Sequence, residues 1–136
     1  MNDCVFCKIA KGEIPSTKLF ENDKVLSFLD IMPAAKGHAL VIPKGHYRTV
    51  LDVPSEELKE IAAALQKVGA AVMKATKAQG FNIHQSNEKA AGQVIPHAHF
   101  HIIPRFENDE LDFAWKPGQQ DKAELEKYAK KIKENL

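Results

Sequence analysis

The run His97-Ala98-His99-Phe100-His101-Ile102-Ile103 constrains this chain more than any other feature, because imidazoles and apolar side chains alternate in it strictly. Successive side chains of a β-strand point to opposite faces, so the run predicts a strand over 98–103, ended by Pro104, with its three imidazoles on one face. We call His97, His99 and His101 the histidine triplet. Such a row can bind a phosphate, supply a nucleophile and a general acid, or hold a metal ion. The alternative is a half-exposed strand that carries histidine at its polar positions by chance.

Four further segments predict strands, and with the triplet strand they indicate an α+β fold whose sheet is mainly antiparallel. Asn22-Asp23 is a turn signal between the first two strands, and Pro43 ends the third. The connections among the first three strands are short enough for hairpins, which favours antiparallel pairing. The predicted strands cover 18–21, 25–30, 38–42, 81–85 and 98–103.

One long amphipathic helix is predicted between the third and fourth strands. Its apolar residues recur at spacings of three and four, as they do on one face of an α-helix. Ser55 is the expected N-cap and Gly80 the expected end of this helix. A short helical turn over 4–11 precedes the first strand, and a polar helix runs from about Asp121 to the end. The apolar residues of the long helix are Leu58, Ile61, Leu65, Val68 and Val72.

Size and charge narrow the classes of protein that the chain can be. Its 136 residues suit one hydrophobic core, and we expect 1–136 to fold as a single domain. Nineteen Lys and Arg residues against eighteen Asp and Glu residues give a net charge of +1, which argues against a protein that binds nucleic acid or an anionic membrane. No apolar run approaches the length of a membrane span, about 18 residues, and residues 1–10 do not resemble a secretory signal. We therefore expect a cytoplasmic protein.

Five motifs accompany the triplet: Phe6-Cys7-Lys8-Ile9, Phe28-Leu29-Asp30-Ile31, Gly37-His38-Ala39-Leu40-Val41-Ile42-Pro43-Lys44, Ala91-Gly92-Gln93-Val94-Ile95-Pro96 and Pro104-Arg105. With them the chain resembles the histidine triad (HIT) superfamily of nucleotide hydrolases and transferases. It is most similar to the Hint branch, which contains purine nucleoside phosphoramidases and zinc-bearing prokaryotic relatives. The resemblance covers about 4–106 and leaves 107–136 as a C-terminal extension.

The resemblance implies the HIT fold: a five-stranded, mainly antiparallel sheet with one long helix and a C-terminal helix. It also implies a homodimer, which the apolar stripe over 58–72 favours on so small a chain. The implied substrate is a purine nucleotide.

The resemblance further implies a mechanism for the triplet. His99 would attack the α-phosphate of a nucleoside monophosphate derivative, which could be a phosphoramidate, an acyl-adenylate or a dinucleoside polyphosphate. Water would then hydrolyse the nucleotidyl-histidine. His101 would bind the phosphate and help protonate the leaving group. His38 matches another member of the family's active-site histidines, although as a lone residue it could equally be an ordinary strand histidine.

The nucleotide pocket is also implied by the resemblance. Asp30 would accept hydrogen bonds from the two ribose hydroxyls. The apolar slot for the base would consist of Val5, Phe6, Ile9, Ile31 and Leu40, each of which would otherwise be ordinary core. The loop before the triplet would approach the phosphate through Asn87, Gly92, Gln93 and Val94. Two features depart from the family pattern: Val94 stands where many Hint relatives carry a hydroxyl, and the loop from Asn87 to Gly92 differs by one residue from the commonest length.

Cys4-Val5-Phe6-Cys7 is a C-x-x-C pair with no second pair. Two free thiols, a redox pair and a zinc site are the alternatives, and the redox alternative lacks the βαβ context that it needs. In zinc-bearing members of the family the ligands correspond to Cys4, Cys7, His46 and His97. A closed set of four ligands implies a structural zinc, because it leaves no coordination position for substrate.

Other functions remain open on the sequence alone. A nucleotidyltransferase related to galactose-1-phosphate uridylyltransferase would carry Gln in place of His101. A nucleotide-binding regulator with little turnover and a metal-dependent hydrolase that uses the triplet as ligands are further alternatives. His84 has no motif partner and is interpreted as a strand histidine. Trp115 lies where C-terminal segments of the family reach toward a partner subunit, and a surface or core role is equally open.

Overall fold

A computed structural model describes residues 3–136. Its centre is one sheet of five strands in the order β1-β2-β3-β5-β4, and every neighbouring pair is antiparallel. The strands are β1 (Lys18–Glu21), β2 (Val25–Leu29), β3 (Ala39–Pro43), β4 (Gly80–His84) and β5 (Phe100–Arg105), and the helices are α1 (Val5–Ala10), α2 (Ser55–Thr76) and α3 (Lys122–Lys133). Short 3₁₀ turns lie at Val50–Asp52 and Lys89–Ala91. The predicted α+β fold and its five strands are confirmed.

Helix α2 packs on one face of the sheet. Its apolar stripe, from Ile61 to Val72, is buried against Val41, Ala98 and Ile102. The stripe therefore belongs to the core of its own chain, and it does not argue for a second subunit.

Both predicted ends of α2 are wrong. Ser55 is the first helical residue, and Pro54 occupies the N-cap position without a side-chain hydrogen bond. Proline suits this position because the first N–H groups of a helix have no partner within the helix. The helix ends at Thr76, with Lys77 as its C-cap at a left-handed φ of 59°, and Gly80 instead opens β4.

Helix α1 covers the other face of the sheet. Phe6 and Ile9 of this helix pack against Leu26, Leu40 and Ile42 of β2 and β3. The side chains of the triplet lie on this same face, so α1 and the triplet share one side of the sheet.

The triplet strand begins later than the alternation predicts. Strand β5 starts at Phe100, so His97 and His99 lie in the segment just before it, which the Ala98 amide ties to the Tyr47 carbonyl at 2.6 Å. Pro104 lies within β5 rather than ending it. Only Phe100–Ile102 of β5 pair with β3, so Pro104 lies beyond the pairing of these two strands. The N–H that proline lacks is therefore not missing from a hydrogen bond between β5 and β3.

The C-terminal helix forms as predicted. Asp121 is its N-cap and accepts a hydrogen bond from the Glu124 amide at 2.8 Å. Every residue of α3 is exposed. Among the described residues, no helix has both the length and the apolar composition that a membrane span requires.

Candidate active site and metal centre

His99 is buried, and its tautomer is fixed by the backbone. Its Nδ1–H donates to the His97 carbonyl at 2.7 Å, so the lone pair is on Nε2. The edge of the Phe6 ring packs against the imidazole, with ring centroids 5.1 Å apart. Burial lowers the pKa of His99. The imidazole is thus held neutral, in the form that a nitrogen nucleophile needs.

A chain of hydrogen bonds sets the tautomer of His101. The Ala34 amide donates to His38 Nδ1 at 2.9 Å, so the proton of a neutral His38 must be on Nε2. His38 Nε2–H in turn donates to His101 Nδ1 at 2.9 Å. His101 then carries its proton on Nε2, which makes this nitrogen a donor.

Burial also governs the charge of His101. Its pKa is lowered to about 4, first by burial and then by repulsion from His99 and His38. Burial likewise lowers the pKa of His38, and Asp30 opposes this with its Oδ2 at 3.6 Å from His38 Nε2. At neutral pH the site therefore presents a neutral row of imidazoles beside one carboxylate.

An apolar cleft of about 280 Å³ ends at these imidazoles. Asp30, His99 and His101 line it, together with Ile14 and Met32, which sequence reasoning missed. The five residues predicted for the base slot, Val5, Phe6, Ile9, Ile31 and Leu40, all line this same cleft. The structure thus brings the expected slot, the carboxylate and two members of the triplet into one cavity.

The loop before the triplet is placed differently. Gly92, Gln93 and Val94 line a separate depression with Arg48 and Glu88. Gln93 holds the loop together, since its Nε2 donates to the carbonyls of Arg48 at 2.7 Å and Ile95 at 3.0 Å.

Asn87 uses its amide within the protein. Its Oδ1 accepts hydrogen bonds from the Val50 amide at 2.8 Å and from Gln85 Nε2 at 2.9 Å. In this structure Asn87 supports the loop and does not line the cleft.

His84 is a strand histidine, as predicted, and it ends β4 beside the site. It pairs directly with His101 across β4 and β5, and the two ring centroids are 5.9 Å apart. The only sequence signal was a histidine at the end of a predicted strand. Nothing in the sequence states which residue of β5 it faces.

Cys4, Cys7, His46 and His97 form a four-donor group whose ligand atoms all lie within 4.8 Å of one another. Cys4 Sγ is 3.3 Å from His97 Nδ1, and Cys7 Sγ is 3.2 Å from His46 Nδ1. His97 Nε2–H donates to the Pro43 carbonyl at 2.9 Å, which leaves the Nδ1 lone pair facing the thiols. A ligand histidine held through its other nitrogen is typical of protein metal sites. The group could therefore hold a metal ion.

Asp30, His38 and His101 form a second compact group of donors. The Ala34 amide occupies His38 Nδ1, so Nε2 carries the proton and has no lone pair to offer. This group fits hydrogen bonding better than metal binding.

Together these features define an α+β protein with an apolar cleft that leads to tautomer-locked imidazoles, braced by a Cys₂His₂ group. The HIT domain model matches residues 11–108, and the chain belongs to the HIT family, in its Hint branch.

Relatives of known name support this assignment. The chain is 47% identical to the Arabidopsis thaliana adenylylsulfatase HINT3 over 108 residues, which is 79% of this chain and 55% of that protein. It is 41% identical to the Candida albicans adenosine 5'-monophosphoramidase HNT1 over 141 aligned positions, covering 98% of this chain and 91% of that one. A solved structure from Streptococcus mutans UA159 superposes with a TM-score of 0.95 at 46% identity, covering 99% of this chain and 86% of that one.

Proposed function

We propose that this protein is a HIT hydrolase that cleaves derivatives of AMP at the α-phosphate, through a nucleotidyl-histidine intermediate. One observation carries the proposal: the locked, neutral imidazole of His99 lies at the end of an apolar cleft that also contains Asp30 and His101. The names of two similar proteins, an adenylylsulfatase and an adenosine 5'-monophosphoramidase, support the substrate class.

In the first step His99 Nε2 gives its lone pair to phosphorus. The new N–P bond forms as the bond from phosphorus to the leaving group breaks, and that electron pair goes with the leaving group. An amine takes a proton from water as it leaves, and His101 Nε2–H, which a neutral imidazole does not release, donates a hydrogen bond to the leaving atom. His38, which donates to His101 Nδ1, keeps that proton on Nε2 and is in our proposal a positioning residue.

In the second step water attacks the phosphorus and breaks the N–P bond. One proton of the water goes to the amine or, where an oxyanion has left, to solvent, and His99 recovers its neutral form with the lone pair on Nε2. Because its Nδ1–H stays bound to the His97 carbonyl, the ring does not need to turn between the two steps.

The cleft suits the nucleoside part of the substrate. Phe6, Ile9 and Leu40 offer apolar surface for a purine, while Asp30, which lines the cleft beside the imidazoles, is an acceptor for ribose hydroxyls. The loop of Asn87, Gly92, Gln93 and Val94 is proposed to act on the phosphate through its backbone, since its side chains are engaged or face another depression.

We propose that Zn²⁺ is the ion held by Cys4, Cys7, His46 and His97, because two thiols and two imidazoles are a donor set that zinc prefers. When bound, the ion would supply structural cross-linking and no step of the reaction. Cys4 and Cys7 flank the start of α1, and His97 is two residues from His99. The site would therefore fix α1, which forms one wall of the cleft, to the segment that carries the nucleophile.

We infer a cytoplasmic location, since paired thiols that serve as ligands persist in a reducing compartment.

We propose a homodimer that forms through β4 and α2. Strand β4 is an edge strand, and Phe81 and Ile83 on it remain 38% and 51% exposed. With Ala62, Leu65 and Gln66 of α2 they line one apolar depression. An edge strand with apolar side chains is a template for pairing with another chain, and a second copy would extend the sheet.

Turnover tests the proposed function directly. Purified protein should release AMP from adenosine 5'-phosphoramidate or adenosine 5'-phosphosulfate, and His99→Ala should lower kcat by about 10³-fold or more while the fold persists. Asp30→Asn is the binding control and should raise KM more than it lowers kcat. A wild-type protein that hydrolyses neither compound would refute the proposal.

A further inference from the structure

His84 is an imidazole that the proposed mechanism does not use. It is exposed at the end of β4, opposite His101, and β4 is the edge strand next to β5. His38 approaches His101 from the β3 side, so His38 and His84 flank His101 from opposite sides.

A nucleotide bound in the cleft would extend its leaving group toward His84. The cleft lies over β2 and β3, where Phe28 and Leu40 line it, and it ends at His99 and His101. A nucleotide with its base in the cleft thus runs across the sheet toward β5. The leaving atom must come within hydrogen-bond reach of His101 Nε2, about 3 Å. Atoms attached beyond the leaving atom then continue over β4, where His84 is the next ring, 5.9 Å from that of His101.

Hydrogen-bond donors are available on this side of the site. His84 Nε2 is 3.3 Å from Ser86 Oγ, and a Ser86 hydroxyl that donates to Nε2 leaves the His84 proton on Nδ1, free for a ligand. The Phe113 ring packs against His84 with centroids 5.7 Å apart, and the Arg105 guanidinium lies over the Phe113 ring, 5.2 Å from its centroid.

The carboxylates of this region already have partners. Asp109 binds Arg105 through both of its oxygens, at 2.8 and 2.9 Å. Asp112 accepts a hydrogen bond from the Ala114 amide at 2.9 Å. The acceptor groups near Phe113 are thus engaged within the C-terminal segment, whereas His84 is not tied to any of them.

We propose that His84 contacts the leaving group and selects AMP derivatives that release an oxyanion, such as sulfate, over those that release an amine. This inference rests on the proposed function. Sulfate departs with the electron pair of the broken P–O bond and needs no proton, so its stabilisation depends on hydrogen-bond donors. His84 N–H donates to an oxygen of the departing sulfate, and an amine offers no oxygen in this position.

A comparison of two substrates with the same nucleotide tests His84. The kcat/KM values for adenosine 5'-phosphosulfate and adenosine 5'-phosphoramidate are measured for the wild type, His84→Phe and His84→Lys. His84→Phe keeps a ring beside Phe113 and removes the donor, so it should lower kcat/KM for the phosphosulfate about tenfold and that for the phosphoramidate less than about twofold. His84→Lys restores a donor and should recover part of the loss.

Glu110→Gln, an exposed change in the C-terminal segment, is the control and should alter neither value. Equal losses on both substrates would overturn the inference, because His84 would then act through His101 or the fold. Unchanged values would overturn it as well, since His84 would not touch the leaving group. A wild-type protein that hydrolyses the phosphoramidate alone would refute the inference and leave the proposed function standing, whereas one that hydrolyses neither compound would refute both.

Discussion

At the scale of single residues, the site depends on which ring nitrogen carries each proton. Three backbone groups decide this: the His97 carbonyl for His99, the Ala34 amide for His38, and the Pro43 carbonyl for His97. Each of these imidazoles is thereby neutral and has its proton on one defined nitrogen and its lone pair on the other. The neutrality of the row follows from burial, which lowers the pKa values of His38, His99 and His101.

The low pKa of His101 makes a prediction about stability. A histidine whose pKa falls from its usual 6.5 to about 4 on folding binds a proton more readily in the unfolded chain. Its contribution to the free energy of unfolding is therefore fully present above about pH 6.5 and is lost as the pH falls toward 4. Chemical denaturation at several pH values should show this loss, and His101→Gln should flatten the slope in that window. An identical slope in the variant would contradict the assignment.

Much of the site could be predicted from the sequence at this scale. Strict alternation predicts that Ala98, Phe100 and Ile102 face the core, opposite the imidazoles; Ala98 and Ile102 are buried there, and Phe100 packs against them. The hydrogen-bond chain through Ala34 could not be predicted, because a loop amide carries no side-chain signal. His84 was missed for a related reason, since its neighbour His101 is set by strand register.

At the scale of elements, the four-donor group joins α1 to the segment before β5. The helix has only six residues, and a helix so short is not stable alone. Its packing depends on Phe6 and Ile9 and, in our proposal, on the metal. Sequence patterns did not predict the ends of α2 correctly. Ser55 and Gly80 are residue types that often cap helices, but Pro54 is the N-cap and Lys77 is the C-cap.

Loss of one ligand should therefore loosen α1. Cys4→Ser should reduce the zinc content from about one ion per chain and lower Tm by about 10 °C, while the remaining folded protein keeps most of its specific activity. Elemental analysis and a thermal melt measure the two effects, with the exposed change Ser55→Ala as the control. Zinc-free wild-type protein in several preparations would contradict the proposed ion.

At the scale of the whole molecule, one sheet carries the core on its α2 side and the site on its α1 side. We propose that all of 1–136 is one HIT domain with 107–136 as its extension, since the family model ends at residue 108. The apolar stripe of α2 could be predicted from the sequence, but the surface against which it packs could not. It fills the core of its own chain, and the dimer surface that we propose lies on β4 instead.

A charge at that surface should separate the subunits. Ile83→Glu places a carboxylate on the apolar edge of β4, and we expect it to convert a dimer of about 30 kDa into a monomer of 15.1 kDa in light scattering at micromolar concentration. Leu51→Glu is the matched control, because Leu51 is also a large apolar residue, is 89% exposed and does not line that depression. A wild-type mass near that of one chain would refute the dimer.

The central claim is that His99 becomes covalently bound to the nucleotide. The direct measurement is mass spectrometry of peptides from protein quenched in base during turnover of adenosine 5'-phosphosulfate and adenosine 5'-phosphoramidate, with rapid mixing to catch the intermediate. We expect an adenylyl group on the peptide that contains His99, which is absent from His99→Ala and retained in His84→Phe. Near-wild-type turnover by His99→Ala, or an adenylyl group on another residue, would contradict the account.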